Sequence, residues 1–191
     1  MAILDDLKIK SKDEHLKVER VLINELNNIT TNEDYGKLLE RLFLFYEPLE
    51  NAVHKIVKKS LIPDIDQRKH VHMINLDFEK LQYKLGYITK NYTPHIRSVS
   101  YALGSLYVME GSTMGGRIIA KMLKKKNEKF STFYFNSYDT RTEDMWHSFK
   151  TTIILIEPDI HYEEMYLGAI ETFENLRLWL LSTSSSENIS E

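Results

Sequence analysis

Apolar residues recur at three- and four-residue intervals through most of this chain, the period of helices buried on one face. Residues 3–29 open the pattern, with Leu4, Leu7, Val18, Val21, Leu22 and Leu26 among the apolar positions. Thr31-Asn32-Glu33-Asp34 has the form of a capping box and predicts the start of a second helix. Leu38, Leu42 and Phe45 carry that helix to Pro48, where the ring predicts a break or kink; the pattern then resumes to about Lys59. Pro63 and Asp64 mark a loop, and a third helical region is expected over roughly 66–90. Thr93-Pro94 reads as an N-cap and the first residue of a long helix ending near Lys126. Residues 127–142 are aromatic and polar without helical period and read as a loop. Thr140 and Glu143 have capping-box spacing ahead of Trp146, Phe149 and Ile153, and Pro158 stops that helix. A last helix, about 161–182, carries Tyr166, Ile170, Phe173, Leu176, Leu180 and Leu181. The pattern predicts an all-α, single-domain helical bundle over residues 1–182 and a polar tail over 183–191, which is expected to fray.

Composition agrees with helices and narrows the chemistry. Seven glycines and four prolines in 191 residues leave few breaks, and the length suits one domain with a sizeable core. A net charge of −3 and the lack of a basic arm argue against a nucleic-acid partner. Lys124, Lys125 and Lys126 read as cations complementing a helix C-terminus. Cysteine is absent, which excludes disulfides, iron–sulfur clusters, thiolate-ligated or cysteine-attached heme, and cysteine nucleophiles. No apolar run reaches the ~18 residues a membrane span needs. Asp5, Asp6 and Lys8 leave no signal-peptide core near Met1. A cytoplasmic protein is expected.

Two features depart from a plain bundle. The first is Tyr101–Leu123, which carries Gly104, Gly111, Gly115 and Gly116, four of the seven glycines. Glycine in a helix interior costs roughly 1 kcal/mol relative to alanine. At about 100° per residue, Gly104, Gly111 and Gly115 share one stripe, so one face of this helix is nearly free of side chains. A flat ligand or a second helix would both fit such a face, and the stripe alone leaves the two open. The Gly115-Gly116 pair also marks where a kink is most easily made. Gly111 to Ile118 imitates a phosphate loop, but Arg117 and Ile118 stand where Lys and Ser or Thr are required, so nucleotide binding is rejected.

The second feature is His15. It shares a stripe of the first helix with Lys8, Ser11 and Glu19, beside Val18 and Leu22. A histidine one turn from a carboxylate suits a metal ligand, although a core histidine satisfied by local hydrogen bonds is the commoner case for such a pattern. His70 and His72 have the wrong spacing for paired ligands on one helical face and are expected in solvent. His54, His95, His147 and His161 stand alone, in surface or capping roles.

Read in order, these segments resemble the heme oxygenases, and most closely the bacterial subgroup associated with bacteriophytochromes. Leu106-Tyr107-Val108-Met109-Glu110-Gly111-Ser112-Thr113-Met114-Gly115-Gly116 is similar to that subgroup's distal-helix signature. Lys8, Ser11, His15 and Glu19 have the offsets of the family's proximal helix. Leu42-Phe43-Leu44-Phe45-Tyr46-Glu47-Pro48-Leu49-Glu50 resembles its second-helix motif. Trp146-x-x-Phe149 and Phe173-x-x-Leu176-x-x-Trp179-Leu180 resemble the subgroup's C-terminal pattern.

The resemblance implies heme b as both cofactor and substrate, lying between the first helix and a kinked distal helix. It implies His15 as the iron ligand, Glu19 one turn behind it, and Gly111, Gly115 and Gly116 as the distal backbone. Lys8 matches a propionate-binding lysine, Lys150 a second basic contact, and Tyr107 a polar contact at the heme edge. The implied products are biliverdin, carbon monoxide and iron, from O2 and electrons of a separate ferredoxin or flavin reductase. A bacteriophytochrome is the implied acceptor. A heme carrier on the same fold is the alternative. Many members have Asp where this chain has Ser112, a position that organises proton-delivering water. A hydroxyl relays protons but is not a carboxylate.

Overall fold

The computed structural model describes residues 3–184, and among these it contains helices and no strand. The helices are α1 (Ile3–Asn28), α2 (Asn32–Ile56), α3 (His72–Leu81), α4 (Val99–Lys126), α5 (Thr142–Leu155) and α6 (Tyr162–Ser184). Short 3-10 turns lie at Ile65–Gln67, Asp139–Arg141 and Glu157–Asp159. Among the described residues, no helix is long and apolar enough to cross a membrane. Thr183 and Ser184, placed in the expected tail, belong to α6, and the rest of that tail, residues 185–191, lies outside the described residues.

The capping box predicted at Thr31 is present: its hydroxyl accepts from Asp34 N–H, and the Asp34 carboxylate accepts from Thr31 N–H. Pro48 differs from expectation. It lies inside an unbroken α2, although proline cannot donate to the carbonyl one turn back. That carbonyl, Leu44 O, accepts from Tyr92 N–H at 3.3 Å instead, so a distant segment fills the place of the missing donor.

The helix expected over 66–90 shrinks to α3. Gln82 takes a left-handed conformation (φ 56°) and ends it. Beyond it, the buried Glu40 carboxylate accepts from Tyr83 O–H at 2.6 Å and from the backbone N–H groups of Gly86 and Ile88 at 3.0 Å. Those donors are committed to α2 rather than to a continuing helix. The long helix starts at Val99, not at Pro94, because Ser98 is the N-cap; its hydroxyl accepts from Tyr101 N–H at 3.1 Å. Thr140 does not cap α5; the preceding 3-10 turn leads straight in, and Thr142 O–H donates to Asp139 O.

α6 is the spine of the bundle and packs along both α4 and α1. Gly104 and Gly168 make the α4–α6 crossing: a Cβ on Gly104 would lie 2.0 Å from Met165 O, and one on Gly168 2.1 Å from Tyr101 O. Thr172 O–H, Ser105 O–H and Gly168 O continue that seam. α1 and α4, by contrast, barely meet. Lys126 ties their ends, donating from Nζ to Asn27 O at 2.7 Å and Ile29 O at 3.3 Å. The lysine run therefore complements a helix C-terminus, but that of α1 as well as its own.

Candidate functional site

Most of the residues singled out by sequence lie on α1 and α4, which both pack on α6. On the α4 side, Gly111 and Gly115 leave bare backbone. A Cβ on Gly115 would meet nothing within 4 Å, and one on Gly111 only the Trp146 ring at 3.6 Å. Ile118, on the same stripe, is 63% exposed, and Met114 beside it is exposed too. An uncovered face of two glycines and two large apolar side chains is not explained by packing. The glycine stripe thus divides: Gly104 packs on α6, while Gly111 and Gly115 face open space. Gly116 points elsewhere, with its Cβ position 2.6 Å from Phe135 O. α4 stays helical through all four.

On the α1 side, the His15 side chain is 50% exposed, which removes the core-histidine reading. Its ring sits 5.1 Å from that of Phe173 on α6, and its Nε2 lies 3.6 Å from Glu19 Oε1, too far for a hydrogen bond. The imidazole is therefore oriented without its Nε2 being consumed. Lys8 is exposed two turns earlier, and Ser11 is buried, donating to Leu7 O at 2.7 Å. Tyr107 and Lys150 meet over one ring: Tyr107 packs 5.4 Å from Trp146, and Lys150 Nζ lies 5.5 Å above it. Burial raises the Tyr107 pKa.

A small cavity flanks the glycine face. Ser112, Thr113 and Gly116 line it from α4, Tyr46 and Glu50 from α2, His70 from the loop before α3, and Leu22 from α1. Leu22 is two turns beyond His15, on the same side of α1. Ser112 O–H donates to Met109 O and Thr113 O–H to Glu110 O, both at 2.7 Å. Each hydroxyl is thereby spent as a donor and offers lone pairs to the cavity.

Beneath this face lies a buried charged network that sequence reasoning missed. Glu110 pairs with Arg68, accepts from Tyr138 O–H at 2.9 Å, and lies 3.0 Å from His70 Nε2. Arg68, fully buried, also grips Asp64 with two hydrogen bonds of 2.8 and 2.7 Å and stands over the Phe149 ring. Burial acts to lower the Arg68 pKa, but Asp64 and Glu110 outweigh it and raise it. Burial, then the Glu110 charge, pushes the Tyr138 hydroxyl far up. His70 is thus buried, correcting its expected exposure, whereas His72 is in solvent. One signal was available: Glu110 is the only charged residue between Tyr101 and Gly116.

Comparisons with known proteins bear on the family and the fold. The heme oxygenase family profile matches residues 1–175. The chain belongs to the heme oxygenase family. Among solved structures, the NO- and CO-bound heme oxygenase from Neisseria meningitidis has the same fold. Its TM-score is 0.76 at 18% identity, covering 97% of this chain and 93% of that one. No curated protein matches the sequence.

A heme oxygenase must accept a porphyrin, and the residues present fit one. α4 offers a bare wall at Gly111 and Gly115 with the exposed Met114 and Ile118 beside it, and α1 offers the half-exposed His15 imidazole. Among the described residues, no three His, Asp or Glu side chains gather as a metal site of their own. An iron held here would bring the remaining ligands with it.

Proposed function

We propose that this heme oxygenase binds heme b between α1 and α4 and cleaves it at a meso carbon to biliverdin, carbon monoxide and iron. The observation that carries the reading is the uncovered backbone of α4 at Gly111 and Gly115, supported by the half-exposed His15 on α1. Bound heme supplies the oxygen-activating iron and is itself the substrate oxidised.

The protein's own residues hold, orient and shield. His15 Nε2 is the proposed iron ligand, with Phe173 packed against its ring and Glu19 one turn behind it. Gly111 and Gly115 let the α4 backbone approach the macrocycle as no side chain would permit. Ser112 and Thr113 accept hydrogen bonds from water on the distal side. Lys8 is the proposed propionate partner on α1, and Lys150 on α5, where Trp146 steadies its ammonium. Tyr107, on the other side of Trp146, is a proposed contact at the heme edge. Gly116 contributes through Phe135, whose backbone it admits to the cavity wall. Electrons come from a separate ferredoxin or flavin reductase, and a bacteriophytochrome is the proposed recipient of the bilin.

Heme titration, then reduction and admission of O2, tests the reading. Wild type should show a histidine-ligated Soret spectrum that bleaches to a green bilin. His15→Ala should lose that spectrum and at least tenfold in bilin yield, with stability within about 0.5 kcal/mol, as for other exposed positions. A stable complex that only releases intact heme would make the protein a carrier.

A further inference from the structure

α1 carries more apolar residues than the bundle uses. Ile3, Leu7, Val18 and Leu26 are buried, whereas Ile9, Leu16 and Ile23 are 63%, 36% and 47% exposed. The exposed three are seven residues apart. At about 100° per residue they drift only ~20° at each step, so they form one line roughly 21 Å long. Val18 lies nine residues beyond Ile9, and Leu7 nine before Leu16, half a turn round the helix in each case. The line therefore points away from the bundle. α1 packs on α6 and touches α2 and α5, and none of them covers it. His15 is about 100° round from Leu16, so the line is not the face offered to heme either. Single apolar residues scattered on a surface need no explanation, but a seven-residue repeat of them along one helix is the seam of a helix pair.

The charges beside the line say what covers it. Lys17 pairs with Glu14, Lys10 stands over the Tyr166 ring, and Glu19 lies 3.6 Å from His15. The side chains of Lys12, Asp13 and Arg20 are exposed and make no ion pair or hydrogen bond among the described residues. Asp13 and Arg20 sit seven apart on one side of the line, and Lys12 and Glu19 seven apart on the other, with the order of signs reversed. Turning a second α1 antiparallel about Leu16 brings Asp13 against Arg20 of the second copy and Lys12 against its Glu19, twice each by symmetry. The same operation sets Leu16 against Leu16 and Ile9 against Ile23. The apolar line and both charged borders are thus complementary to themselves, as an isologous two-fold contact requires.

We propose that the outward face of α1 binds a second copy of this chain, antiparallel, through Ile9, Leu16 and Ile23. One helix pair of this length is small beside a standard interface of roughly 1,200–2,000 Å², so the dimer forms at high protein concentration. It leaves His15 of each copy clear of the seam and needs no heme.

Sedimentation equilibrium of the full heme-free chain, from micromolar to millimolar, is the test. Wild type should pass from monomer to dimer. Leu16→Glu sets two carboxylates against each other at the two-fold and should raise the dissociation constant at least about tenfold. Asp13→Arg and Arg20→Asp should each raise it about threefold to tenfold, and the double change should restore it to within about threefold, since it exchanges the ends of the same pairs. In a parallel pairing Asp13 would face Lys12 and Arg20 would face Glu19, and the double change would make both contacts repulsive. All variants should keep the helical circular dichroism of wild type, because no altered residue is buried. A wild type that stays monomeric overturns the proposal and leaves the line to a partner of another kind. A dimer indifferent to Leu16→Glu overturns it by placing the contact elsewhere, and a double change that fails to restore the dimer overturns the antiparallel arrangement. If Leu16→Glu loses its fold, the charge exchange alone decides. None of these readouts involves heme, so the enzyme reading stands or falls separately.

Discussion

A methyl group added at Gly104 and one added at Gly115 would have opposite effects, though both glycines share one stripe of α4. At Gly104 the methyl would meet Met165 O at 2.0 Å and Ala169 N at 2.8 Å, atoms of a neighbouring helix that cannot move independently. Gly104→Ala should therefore cost ~1–3 kcal/mol or more through overpacking. At Gly115 the methyl would meet nothing, so Gly115→Ala should stabilise the heme-free protein by about 0.5–1 kcal/mol through helix propensity. Heme affinity should fall in Gly115→Ala all the same. Denaturant unfolding and Soret titration of the two variants check both halves. A glycine conserving stability at position 115 would remove the ligand platform from the argument. The stripe was legible in the sequence because a helix wheel is local. Which glycine was covered was not, because the α4–α6 crossing angle decides it.

At the scale of elements, the contrast lies between Thr31 and Pro48 in the same helix. The capping box needs only four consecutive residues and forms where the sequence predicts it. Burial acts to raise the Asp34 pKa, but hydrogen bonds from Thr30 and Thr31 outweigh it and hold the carboxyl at about 2, below its ordinary 3.8. A depressed carboxyl pKa stabilises the fold above the unfolded value and loses that contribution as pH falls through the folded one. The stability advantage of wild type over Asp34→Asn should thus be full at neutral pH, decline below about pH 4, and be mostly gone near pH 2. Urea unfolding of both proteins across that range measures it; an unchanged gap would detach the carboxylate's charge from the cap. Pro48 follows the opposite logic. Its tolerance depends on Tyr92, far along the chain, so the local rule that proline breaks a helix was overruled by tertiary structure. The same holds for the region after α3, where Glu40 takes the backbone donors that a longer helix would have used.

For the whole molecule, the Arg68–Glu110 network joins the loop before α3, α4, and the start of α5 beneath the proposed distal wall. Removing Glu110 takes this partner from His70 and Tyr138 and leaves Arg68 Nη1 only Met145 O, in a dry interior. Glu110→Ala should cost roughly 3–5 kcal/mol, as expected when one partner of a buried pair is lost. The exposed Arg117–Glu143 pair at 3.2 Å is the control, and Glu143→Ala should stay within about 1 kcal/mol. Chemical denaturation of the two variants separates them, and equal small losses would show the network to be dispensable.

The sequence by itself determined the number and order of the helices, the glycine-bearing character of α4, and the candidacy of His15, because apolar period, caps and motif spacing are properties of neighbouring residues. Only the tertiary structure decided that Gly111 and Gly115 lie uncovered while Gly104 and Gly116 pack. It alone buried His70 with Glu110. Those outcomes depend on where helices cross and which distant donors reach a buried carboxylate, and no periodicity within one segment carries that information.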